Sequence, residues 1–94
     1  MVVYVVYEMT YADWHTGTYE DVSIYGAFKN RKRAVKEAKK RMKDNLKGGL
    51  FIANDISNKA NPFKKNDYAD FYRDEENEGC AVSSIVIHPE KLVA

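Results

Sequence analysis

Ninety-four residues with a formal net charge of +1, 45 % apolar and 13 % aromatic have the make-up of one small globular domain over residues 1–94. The single cysteine, Cys80, excludes an internal disulfide framework and a cysteine-based zinc cluster. No apolar run reaches the ~20 residues that a membrane span needs, and the opening VVYVVYEM lacks the basic stretch and cleavage site of a signal peptide. A soluble, cytoplasmic protein is therefore expected.

In chain order, Val2 to Met9 reads as a strand, rich in β-branched and aromatic residues and without Gly or Pro. Both of its faces are apolar: Val3, Val5, Tyr7 and Met9 on one, Val2, Tyr4 and Val6 on the other, with Tyr4 expected on the less buried side. Thr10 to Gly17 (TYADWHTG) reads as a hairpin loop. Thr18 to Phe28 alternates as a second strand, Val22, Ile24, Gly26 and Phe28 facing one way and Tyr19, Asp21, Ser23 and Tyr25 the other. Antiparallel pairing of the two is the economical arrangement for neighbours joined in this way.

The helix that follows has clear ends. Asn30 is suited to cap its start, and Gly48-Gly49 supplies a left-handed stop. Between them Ala34, Val35, Ala38, Met42 and Leu46 recur at spacings of three and four and so share one face.

Leu50 to Asn61 begins apolar (LFIA), as a short strand or one helical turn, and becomes Asn-rich loop. Asn61-Pro62 and the KKND after it mark a turn. Tyr68 to Asp74 reads as an edge strand with Tyr68 and Tyr72 on one face, or as a helical turn. Glu75 to Gly79 is a hairpin turn, and Cys80 to His88 is a strand ended by Pro89. The predicted fold is α+β, β-β-α-…-β, with one amphipathic helix packed on a three- to four-stranded antiparallel sheet.

The small net charge conceals segregation. Residues 1–28 hold four acids and no base, and residues 29–47 hold ten bases against Glu37 and Asp44. Residues 67–78 hold six acids against Arg73. On the helix, Lys32, Lys36, Lys40, Lys43 and Lys47 fall within about 80° of one another, with Arg33 just beyond. Glu37 can pair with Arg33 or Arg41, and Asp44 with Lys40; Lys32, Lys36, Lys43 and Lys47 have no acid at the right spacing.

Such a stripe can track phosphates, can meet an acidic protein surface, or can be a solvated face neutralised by the acids of 67–78, in the same copy or in a second one. Self-association, with the acidic segment of one copy on the basic helix of another, is one expectation.

A second candidate surface is aromatic. Tyr4, Tyr19 and Tyr25 are expected on the sheet face away from the helix, with Trp14 in the loop beside it, since Tyr and Trp offer large amphipathic area at low entropic cost.

Catalytic chemistry finds little footing. Asp13, Trp14 and His15 cluster in sequence, but His88 lies at the far end of the chain, too little for a metal site. Cys80 reads as a small buried hydrophobe. Gly48-Gly49 ends a helix, where the dipole repels anions, so it cradles no phosphate. No catalytic residue, metal or cofactor is expected, and the chain is read as a non-enzymatic binding protein.

The stretch YVVYE, a hairpin into YGAF and then a capped helix with RAVKEAKKRM resembles small phage- and prophage-encoded proteins of unassigned function. These run strand, loop, strand ending in Gly-x-Phe, then a Lys/Glu-rich helix; Gly26, Phe28 and Ala34 occupy those places over residues 3–42. The resemblance implies an accessory protein of the bacterial cytoplasm that binds and inhibits a host protein or defence complex. The alternative is a small nucleic-acid-binding protein that uses the basic helix, residues 31–47.

Overall fold

The computed structural model describes residues 1–13, 16–52, 61–64, 66–73 and 81–92. It is α+β, with strands β1 (Val2–Asp13) and β2 (Thr18–Phe28), helix α1 (Arg31–Lys47), and strands β3 (Phe51–Ile52), β4 (Tyr68–Tyr72) and β5 (Ala81–Lys91). One sheet of five strands in the order β2-β1-β5-β4-β3 takes them all, each neighbouring pair antiparallel. The expectation of three or four strands was one short: LFIA supplies the two-residue β3 at the edge, so β4 is an interior strand. The turn predicted at Asn61-Pro62 is a short 3-10 helix over Pro62–Lys64. The predicted turn at 75–79 lies outside the described residues.

Helix α1 starts and stops where its caps dictate. The Asn30 side chain accepts a hydrogen bond from the Lys32 backbone N–H at 2.8 Å, satisfying one orphan donor of the first turn. At the other end the Gly48 N–H donates to the Asp44 carbonyl, and Gly49 takes a φ of +92°, a conformation that favours glycine. Ala34, Ala38 and Met42 are buried on the sheet, and Val35 packs beside them. Leu46, expected in the same stripe, is 40 % exposed at the last turn.

The helix sits on the side of the sheet that carries Val6, Ile85, Ile87, Ala69, Phe71 and Ile52, with Phe63 from the 3-10 turn closing the core. Arg31 ties that turn to the helix start, donating to the Phe63 carbonyl at 3.0 Å and meeting Asp67 at 2.9 Å.

Two sequence expectations about faces are reversed. The helix covers the Tyr4, Val6 and Glu8 side of β1, which had read as the less buried one. Glu8 makes that side look polar, but its carboxylate is engaged: Tyr25 Oη donates to Oε1 at 2.6 Å and Asn45 Nδ2 to Oε2 at 2.8 Å.

The second reversal is on β2. Val6 pairs with Gly26 and Tyr7 with Ile24, so Tyr25 is an extra residue in a β-bulge. Gly26 holds φ +153° there, and a Cβ on it would stand 3.1 Å from the Phe28 ring. Beyond the bulge the alternation inverts. Phe28 and Tyr25 both pack on the helix side, while Ile24 and Val22, opposite Tyr7 and Met9, face away from it.

Strand β5 does not end at Pro89 but runs through it to Lys91. The Ile87 N–H points toward the β4 side, donating to the Asp67 carbonyl at 2.7 Å. Pro89, two residues on, faces the same side, where β4 has already ended and no ladder donor is needed.

Candidate binding surfaces

The outward side of α1 carries Lys32, Arg33, Lys36, Lys40, Lys43 and Lys47, all exposed as the helical spacing predicts. Lys39 joins them. It lies about 20° from Lys32 on the helical wheel, so the signal for it was present in the spacing. Among the described residues, none of these seven cations stands within ion-pair distance of a carboxylate. The pairs that do form are Arg41 with Glu37 at 3.1 Å, Arg31 with Asp67, and His88 with Glu90 at 3.3 Å.

Of the acids of 67–78, the two that are described do not reach the helix stripe. Asp67 serves Arg31 at the helix start, and Asp70 accepts from the Ser84 hydroxyl within the sheet. The acids at 74–78 lie outside the described residues.

Along the stripe runs an open trough of about 820 Å³, lined by Phe28, Val35 and Glu37 together with Lys32, Lys36, Lys40 and Lys43. Asn61 closes one end, where a smaller hollow continues toward Arg31 and Lys64. Phe28 and Asn61 come from outside the helix and could not be assigned to this surface from helical spacing. The trough is too open to surround a small molecule. Its character is that of a surface, where Phe28 and Val35 stand among cations and the one lining carboxylate, Glu37, is paired with Arg41.

The aromatic residues proposed for the other surface are not together. Tyr4 and Tyr25 pack against the core on the helix side. The Arg41 guanidinium lies over the Tyr25 ring, 4.1 Å from its centroid, a cation–π contact within the fold. Burial and the Glu8 hydrogen bond push the Tyr25 phenol up to about 12. Tyr19 does face away from the helix, paired with Tyr11 and 55 % exposed. Trp14 lies outside the described residues.

The face away from the helix is instead built by residues that the alternation had placed on the buried side, Tyr7 and Met9 of β1 and Val22 and Ile24 of β2. Ile24, Tyr7, Val86 and Tyr68 form one row across four strands, by the pairings Tyr7 with Ile24, Tyr7 with Val86 and Tyr68 with Val86. Val22, Met9, Ser84 and Asp70 form the next row. With the Ser84 proton given to Asp70, Tyr11 Oη donates to Ser84 Oγ at 2.9 Å, and its ring packs against Tyr72 and Ala81 at one end. Burial, and then the neighbouring Tyr11 and Tyr19, push the Tyr7 phenol up.

No family model, curated protein or solved structure significantly matches this chain. Among the described residues no group of three His, Cys, Asp or Glu side chains is placed to hold a metal ion, and no helix is long and apolar enough to cross a membrane. His88 is on an exposed strand end beside Glu90; His15 and Cys80 lie outside the described residues.

Proposed function

We propose that this chain is a non-enzymatic binding protein whose α1 trough takes an acidic surface of a partner protein. The observation that carries the reading is the set of seven outward cations without a carboxylate partner among the described residues, six of which line one trough with Phe28 and Val35. Unpaired like charges along one helix repel one another, and an acidic partner relieves that repulsion while steering its own approach. The half-buried Phe28 and Val35 give such a partner apolar contact, from which affinity beyond screened charge is drawn. In the setting that the resemblance implies, the partner is a host protein or defence complex that the chain blocks by occupying it.

A nucleic acid is the second reading. Lys32 to Lys47 span about 22 Å of helix, enough to follow several phosphates. Against it, among the described residues the trough's aromatic, Phe28, is half-buried, and the exposed Tyr19 and Tyr68 lie on the opposite side of the sheet, which is poor provision for stacking unpaired bases.

Immobilised wild-type protein and the Lys36→Glu/Lys43→Glu variant, exposed to bacterial lysate, test the first reading. Wild type retains a protein that the variant loses. Retention by both, or by neither, overturns it. A mobility-shift titration with single- and double-stranded DNA and RNA tests the second: binding that falls steeply with salt assigns the trough to phosphates.

A further inference from the structure

We infer that Asp21 guards the outer edge of β2 and keeps the sheet from adding the β2 strand of a second copy. Strand β2 is the last strand on its side of the sheet, bonded only to β1 among the described residues. Its middle has the make-up of a stretch that recruits a further strand. Val22 and Ile24 are 43 % and 72 % exposed, and residues 18–28 hold no Lys or Pro, the residues that often blunt an edge.

The register fixes which backbone groups face outward. The Ile87 N–H is turned toward β4, so by the alternation of an antiparallel ladder Val86 and Ser84 bond to Tyr7 and Met9 of β1. Glu8 and Thr10 are then left to bond Ser23 and Asp21 of β2. Val22 and Ile24 consequently direct their N–H and C=O groups away from β1. A strand added at this edge has those two residues to bond to.

Two features stand in its way. Glu20 is an extra residue between the pairings of Thr10 with Asp21 and Tyr11 with Tyr19, as Tyr25 is between those of Tyr7 with Ile24 and Val6 with Gly26. These irregularities confine the regular edge to residues 21–24. Within it the Val22 N–H is already taken, donating to the Asp21 carboxylate at 2.9 Å. An incoming strand must displace that charge-assisted bond and set its own carbonyl beside the freed carboxylate.

Self-pairing is the arrangement most affected. Two β2 strands meeting antiparallel about Ser23 set Val22 of each copy against Ile24 of the other, and both pairs need a Val22 N–H. One side chain thus removes a donor from each half of a two-fold contact. The role concerns β2 alone and does not depend on what the α1 trough binds.

Disulfide cross-linking reads this edge and no other surface. In a Cys80→Ser background, Ser23→Cys places a thiol at the two-fold position, where opposed Cα atoms stand ~4.5 Å apart, within the span of a disulfide. The full chain is held at about 100 μM, a concentration that samples weak pairing, with oxidised glutathione taking the electrons. With Asp21 in place it should remain largely a single chain on a non-reducing gel. Adding Asp21→Ala should raise the rate of dimer formation about tenfold, the weight of one such hydrogen bond. Asp21→Asn keeps an acceptor oxygen for the Val22 N–H and should raise it far less. Asp21 and Ser23 are both exposed, so the variants should keep the circular-dichroism spectrum of wild type. Equal cross-linking with and without Asp21 overturns the inference, as does an Asp21→Asn protein that cross-links as fast as Asp21→Ala.

Discussion

The Tyr25 hydroxyl and the Glu8 carboxylate meet at 2.6 Å where β2 bulges against β1. The second oxygen of Glu8 takes the Asn45 side-chain amide from the last turns of α1. One carboxylate thus links two strands and the helix on the buried side of the sheet. Glu8→Ala leaves the phenol and the amide without their acceptor, at an expected cost of about 2–3 kcal/mol in chemical denaturation, since hydrogen bonds to a charged group are among the stronger ones.

The same contact sets a dependence on alkaline pH. The folded state holds the Tyr25 proton to about 12, against an ordinary 10.0. Below pH 10 both states keep the proton, and the contribution of the contact is complete. Between pH 10 and about 12 the unfolded chain ionises first, so stability is lost as pH rises through this window. Tyr25→Phe should flatten that loss in denaturation midpoints measured across the window, and should remove one late phenol from the ultraviolet titration of tyrosinate.

Gly26 fixes the face swap of β2. At φ +153°, with the Phe28 ring 3.1 Å from where a Cβ would sit, Gly26→Ala strains the backbone and crowds the ring. A loss of about 1–3 kcal/mol is expected in thermal or denaturant unfolding. A variant as stable as wild type would show that the bulge is not held by this residue.

Ser83 runs the other way. Its hydroxyl is buried on the helix side without a hydrogen-bond partner among the described residues. Ser83→Ala removes an unsatisfied polar group at little change in volume. Stability should hold or rise by up to about 1 kcal/mol in the same unfolding measurement.

The lysines of the trough should behave as surface residues in stability and as binding residues in function. Lys36→Glu/Lys43→Glu removes no ion pair among the described residues, so its unfolding stability should stay within about 0.5 kcal/mol of wild type. Relief of like-charge repulsion sets the direction, toward a slight gain. A large loss of stability would mean that these side chains serve the fold.

Local signals carried far in this protein. Asn30 and Gly49 set the limits of α1, and the alanine spacing named its buried face, because capping and helical period depend on neighbours within a few residues. The outward lysines followed from the same period. Strand β2 also began and ended where its composition placed it.

Where the reading went astray, the cause was long-range. Both sides of β1 are apolar enough to be buried, and the choice between them depends on where α1 docks and on Tyr25 and Asn45 satisfying Glu8. The bulge at Tyr25–Gly26 inserts one residue that period-two alternation cannot register, and it moved Tyr25 inward and Ile24 outward. Pro89 ends a strand in isolation but not where the neighbouring strand has already stopped. The sequence by itself determined β2, the helix with its caps, and the lysines of one helix face that lack an acid at helical spacing, since these need only residues close along the chain. The added length of β1 through Asp13 and the strand character of β3 and β4 needed their partners. Which sheet face α1 covers, and that the row of Ile24, Tyr7, Val86 and Tyr68 is continuous on the other, was decided only by the tertiary structure, because strand order and register bring together residues more than sixty positions apart.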